Sequence, residues 1–123
     1  MNKEQLEQLS DFMLNVAITE VLNNESYKEW AVTADKTAVY HCGFDGSQYH
    51  SVDIVDYCSS PSDMMPLVFE GKVTLSPIQP YTEEHDPSLW CASCEVDSGA
   101  IECWHKNPLR AAAIAYLLMK EGG

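Results

Sequence analysis

Cys91-Ala-Ser-Cys94, followed by Cys103-Trp104-His105, is the run of this 123-residue chain whose residue types come closest to a metal centre. Three thiols and an imidazole can hold zinc when they converge tetrahedrally, usually from two tight knuckles. Here the two pairs stand close together, neither knuckle carries a glycine, and Cys103-x-His105 has the spacing of a strand. The run therefore reads as thiols packed in a hairpin, with a small zinc- or thiol-dependent protein using Cys91, Cys94, Cys103 and His105 as the alternative.

Other chemistry is weaker still. Five cysteines and four histidines offer nucleophile–base pairs by chance, and no local motif singles one out. Glu83-Glu84-His85-Asp86 lacks the alternating oxygen ligands of a calcium loop. Gly43-x-x-Gly46 is too short for a phosphate loop and no lysine follows it. Trp30, Trp90 and Trp104 have no basic residues interleaved to make a base-stacking platform. The sequence thus names no catalytic residue, no metal and no cofactor, and the expectation is a protein that is not an enzyme.

Charge is more informative. The net charge of −12 comes from 19 acids against 7 bases. Between Thr37 and His105 the only base is Lys72, among eleven acids. Such a surface repels nucleic-acid phosphates and favours a basic protein. No run approaches the roughly 20 apolar residues that span a bilayer. The start, Met1 to Gln5, is polar and lacks the pattern of a secretion signal. Together with an odd cysteine count, this points to the cytoplasm, where thiols stay reduced.

The elements that would position these residues follow from periodicity and caps. Ser10 caps a helix with Asp11 in its first turn, Leu9 and Leu14 at the staple positions, and Leu14, Ala17, Ile18, Val21 and Leu22 as its stripe. Asn23-Asn24 stops it, and residues 1–8 add a polar turn or two. Thr37–Cys42, Tyr49–Tyr57 and Lys72–Ile78 read as strands, the first ending at the turn Gly43-Phe44-Asp45-Gly46. Ser60 and Pro61 start a helix that Pro66 should kink or cut short. Leu89–Glu95 and Ala100–His105 form a hairpin. If Glu95 pairs with Ala100, then Trp90, Ala92, Cys94, Ile101, Cys103 and His105 share the core face.

The last helix is the clearest element. Asn107 caps it, Pro108 is its first residue and Gly122-Gly123 end it. Leu109, Ala112, Ala113, Tyr116, Leu117 and Lys120 make one stripe, and Ile114 and Leu118 widen it, so more than one side should be buried. Arg110 opens this helix, where a cation opposes the dipole; it needs a carboxylate or carbonyl partner. The expected architecture is one α+β domain over residues 1–123, an antiparallel sheet of about four to five strands packed by an N-terminal and a C-terminal helix.

Three segments carry a family pattern: Leu9-Ser10-Asp11-Phe12 with Leu14-Asn15, the run from Asp56 to Val68, and Trp90-Cys91-Ala92 with Asn107 to Ile114. Their order and spacing resemble the NinX-like proteins, a family of small proteins from tailed bacteriophages and prophages. The resemblance leaves out the stretch from about Asn23 to Gln48, and the Asn-Pro-Leu-Arg-Ala-Ala run is its most specific part. It implies an accessory phage protein and assigns no catalytic residue.

These readings converge on a phage-encoded acidic accessory protein in the host cytoplasm. It would bind a host or phage protein with a basic surface, inhibiting a host defence or nucleic-acid-handling protein. It would bind neither nucleic acid nor membrane directly. The expected contact residues are Asp53, Asp56, Glu83, Glu84, Asp86, Glu95, Asp97 and Glu102. A further alternative is a self-associating structural protein, a homodimer joined through a sheet edge.

Overall fold

The computed structural model describes residues 2–23, 30–42, 48–77, 89–96 and 99–122. Its elements in chain order are α1 (Lys3–Glu7), α2 (Asp11–Leu22), β1 (Trp30–Val32), β2 (Ala38–Cys42), β3 (Gln48–Asp53), α3 (Pro61–Glu70), β4 (Thr74–Pro77), β5 (Trp90–Val96), β6 (Gly99–His105) and α4 (Pro108–Gly122).

Helix α4 organises the rest. Every residue from Arg110 to Leu117 is buried, so the helix has no polar face over two turns. A helix apolar all round must be covered all round. β5 and β6 cover one side, and α1, α2 and α3 cover others. Four buried alanines, Ala111–Ala113 and Ala115 around Ile114, let these neighbours approach closely.

The expectation of a single sheet is corrected. The described strands form two three-stranded antiparallel sheets, β1-β2-β3 (sheet A) and β4-β5-β6 (sheet B). After β3 the chain enters the main core at Tyr57 and Cys58 and continues into α3, so β4 begins a second sheet instead of pairing with β3. Sheet B packs on α4, while sheet A meets α2 through β2. The α+β class holds.

Local readings fare better. Ser10 accepts the Met13 N–H at 3.2 Å and starts α2, which ends at Asn23. Ahead of it, Asn2 and Gln5 form a reciprocal capping box around α1. The β5–β6 register sets Glu95 opposite Ala100, as expected, and Ala92, Cys94 and Cys103 are buried on the face toward α4. Asn107 Oδ1 accepts the Leu109 N–H at 3.0 Å at the start of α4.

Several local expectations differ. The strand expected over Lys72–Ile78 begins only at Thr74, because Lys72 and Val73 close α3, and its last residue lies outside the described residues. The strand expected over Tyr49–Tyr57 ends at Asp53. Beyond it Ile54 N–H still donates to the Thr37 carbonyl at 2.9 Å, and the chain then turns on local backbone bonds. Cys58 is held by side chains: its N–H donates to Asn15 Oδ1 at 3.1 Å and its carbonyl accepts from Asn107 Nδ2 at 2.8 Å. Tyr57 and Cys58 leave sheet A for the main core. Pro66 does not cut α3 short; the helix runs ten residues through it. Pro66 and Ser62, whose carbonyl loses its helical donor, are both exposed, so that side faces water. Ser60 stands at the cap position, but its hydroxyl lies 3.2 Å from Ser62 Oγ and caps no N–H. The turn Gly43–Gly46 lies outside the described residues.

Two tertiary features fix the frame. At the end of α3, Lys72 N–H donates to the Phe69 carbonyl and Val73 N–H to the Val68 carbonyl at 2.9 Å. This is the paired closure of a Schellman motif, and it puts Lys72 in the left-handed region at φ 53°. Arg110 Nη1 donates to Asp11 Oδ1 at 2.7 Å, and Nη2 donates to the carbonyls of Glu7 and Leu9. The guanidinium opposes the α4 dipole but sits on carbonyls released at the end of α1, beside the acidic first turn of α2. The partner demanded by its position is thus both carboxylate and carbonyl.

Replacing Arg110 by Met should cost about 3 kcal/mol in urea denaturation, because two carbonyls lose charge-assisted bonds. Asp11→Asn should cost about 1 kcal/mol or less, since that carboxylate is half exposed. Equal costs would show that the carboxylate, not the carbonyls, carries the clasp. Lys72→Gly should raise stability by roughly 1 kcal/mol, because only the left-handed strain is removed and the side chain is exposed.

Candidate functional site

The four potential zinc ligands do not converge. The register places Cys91 on the face of sheet B away from α4, whereas Cys94 and Cys103 face the core. Cys94 Sγ points at the Ala115 carbonyl, 3.9 Å away. His105 Nδ1 accepts the Asn107 N–H at 2.9 Å and so holds the entry to α4. Among the described residues no three His, Cys, Asp or Glu side chains come together as a metal site.

The thiols are also held in their neutral form. Burial pushes Cys58 and Cys103 up to about 12, and it raises Cys91 and Cys94 as well. Near Cys58 the Asp11 carboxylate adds to the effect of burial. The thiolate is the nucleophile, so these cysteines are poor ones at neutral pH.

An open cleft of about 350 Å³ lies between α2, the β1–β2 turn and the segment after β3. Asp11, Phe12, Asn15, Lys36, Ile54, Asp56 and Ser59 line it. Its carboxylates are already engaged: Asp11 by Arg110, and Asp56 by Asn15 Nδ2 at 2.9 Å. Buried Asn15 thus ties α2 to the 56–58 turn with both ends of its amide. Asn107 then ties that turn to α4. The one signal of the Asn15 role in the sequence is a lone asparagine amid the apolar positions of α2.

Of the acids expected to meet a partner, Asp53, Asp56, Glu95 and Glu102 are exposed. Glu83, Glu84, Asp86 and Asp97 lie outside the described residues. The four described carboxylates do not share one sheet. Asp53 ends β3 in sheet A and Asp56 lies in the turn beyond, while Glu95 and Glu102 stand on the face of sheet B turned from α4. Separating the strands into two sheets separates the acids.

Two outcomes follow from this chemistry. Native protein treated with iodoacetamide at mild alkaline pH should be modified at half-buried Cys91 before Cys58 or Cys103, as read by peptide mass spectrometry. Early labelling of Cys58 or Cys103 would contradict their burial. The second concerns acid. Burial and then the Arg110 guanidinium lower the His105 pKa below its ordinary 6.5, with Asp11 and Glu7 acting the other way. The unfolded chain therefore takes up this proton first. Stability should fall as the pH drops below about 6.5 and stay unaffected by this group above it. Urea midpoints at pH 7.5 and 5 should differ less in His105→Gln than in the wild type. No protein-family model, no curated protein and no solved structure matches the chain, so the functional reading stands on these residues.

Proposed function

We propose that this is a phage-encoded accessory protein of the host cytoplasm that works by binding a host or phage protein with a basic surface. Inhibition of a host defence or nucleic-acid-handling protein is the activity this binding would serve. The observation that carries the reading is that all four described candidate acids, Asp53, Asp56, Glu95 and Glu102, are exposed in a chain of net charge −12. Exposed carboxylates in excess steer basic partners and reject phosphate polyanions. The resemblance to NinX-like proteins supplies the phage setting. Among the described residues no helix is long and apolar enough to cross a membrane.

The other two readings have less support. Zinc or thiol chemistry would need ligands that the register points to opposite faces and thiolates that burial suppresses. Self-association through a sheet edge would bring together two chains of net charge −12 each, and like charges oppose that.

Affinity capture from a bacterial host lysate, at low and at physiological salt, tests the proposal. The expected result is one enriched basic protein whose recovery falls as salt rises. Capture of nothing specific at either salt would count against the reading.

A further inference from the structure

His105 is the last residue of β6 and stands two residues ahead of Asn107 at the start of α4. Its Nδ1 lies 2.9 Å from the Asn107 backbone nitrogen. A backbone N–H can only donate, so Nδ1 must offer a lone pair and the neutral ring keeps its proton on Nε2. The contact copies the turn that an asparagine makes with the N–H two residues on, as Asn107 itself does with Leu109 at 3.0 Å. Protonation of Nδ1 would set two donors against each other.

The bond matters beyond its own turn because of what Asn107 holds. Asn107 Nδ2 donates to the Cys58 carbonyl at 2.8 Å, and Cys58 N–H donates to Asn15 Oδ1 at 3.1 Å. Asn15 Nδ2 donates in turn to Asp56 Oδ1 at 2.9 Å. A line of hydrogen bonds thus runs from His105 to the turn after β3, whose Asp56 and Ser59 line the cleft.

The surroundings of the ring oppose a second positive charge. Arg110 of α4 acts on it from one side, and the N-terminus of α4 carries partial positive charge. Asp11 from α2 and Glu7 from α1 act the other way, but Asp11 is engaged by Arg110 and Glu7 by Lys3. Trp90, its partner on β5, is uncharged, and Lys106 follows it in the chain.

We propose that His105 is a proton-operated latch on the junction between β6 and α4. Neutral, it fixes Asn107 and, through it, the turn at Cys58. Protonated at Nδ1, it releases Asn107 and loosens that turn and the cleft wall, while α4 and sheet B stay folded. Burial and Arg110 keep the His105 pKa below its ordinary 6.5 while the latch is closed. A released ring returns toward that value, so opening takes up a proton. The latch is therefore shut above about pH 6.5 and yields as the pH falls below it.

Amide hydrogen exchange on the ¹⁵N-labelled full chain at pH 7.5 and 5 tests this, each rate being divided by that of an unfolded peptide at the same pH. The Asn107 and Cys58 amides should lose protection severalfold at pH 5, while Ala113 within α4 loses much less. Ring ¹⁵N shifts should show a bare Nδ1 at pH 7.5 and a protonated one at low pH. His105→Asn sets an Oδ1 where Nδ1 stood and keeps the bond without a titrating group, so both amides should stay protected at both pH values. His105→Phe keeps a ring without an acceptor and should leave both amides weakly protected throughout. An equal loss at Ala113 would mean that acid acts on the whole fold, and would overturn the latch. So would a loss at Asn107 that leaves Cys58 untouched, since the ring alone would then swing away. The wild-type response persisting in His105→Asn would assign it to another group. None of these outcomes depends on what the protein binds.

Discussion

A cation placed at the wrong end of a helix holds this fold together. Arg110 stands in the first turn of α4, where the exposed N–H groups already carry partial positive charge. What makes the position favourable is its neighbour: the chain reverses between α1 and α2 there, and the Glu7 and Leu9 carbonyls receive the guanidinium. Asp11 completes the set, and as a first-turn acid it also suits the dipole of α2. One side chain thereby satisfies the end of α1, meets the start of α2 and locks both onto α4. Since α4 is buried on all sides along this stretch, fixing its entry fixes the frame on which sheet B rests.

Two asparagines perform the same service for the segment after β3. Asn15 and Asn107 bracket Cys58, one taking its N–H and the other giving to its carbonyl. A buried turn needs such partners, because each unanswered backbone group costs a substantial part of a hydrogen bond. Asn15, Cys58, Asn107 and Arg110 thus meet around one junction, where their polar groups answer buried backbone and one another's neighbours.

The same junction shows where sequence reasoning stops. Caps at Ser10 and Asn107, the β5–β6 register and the need of Arg110 for a partner were legible because each depends on residues close in sequence or on simple alternation. The two-sheet arrangement was not, because it depends on Tyr57 and Cys58 leaving sheet A for partners far away in the chain. The end of β3 at Asp53 was hidden for a related reason: Tyr57 and Val55 have strand propensity, but tertiary partners claim the backbone first. β1 was missed because three residues carry too little pattern to register. Of the candidate site, the exposure of the acids was legible from composition, whereas their division between two sheets followed from a topology the sequence did not disclose.

That division bears on how the protein tolerates its charge. Lys3, Arg110 and Lys120 each meet a carboxylate, at α1, at the α1–α2 junction and between α3 and α4. The described ion pairs therefore all lie in the helical layer, but only that of Arg110 involves a buried charge; the other two join exposed side chains and add little to stability. Sheet B contributes no base of its own, and its glutamates stay on the side where water screens them. Alternation makes this possible, since each core residue on β5 or β6 is followed by one that leaves the core free of its charge. The inner face answers to α4 and can change little. The outer face contributes less to folding, which leaves its chemistry free to be shaped by what it meets.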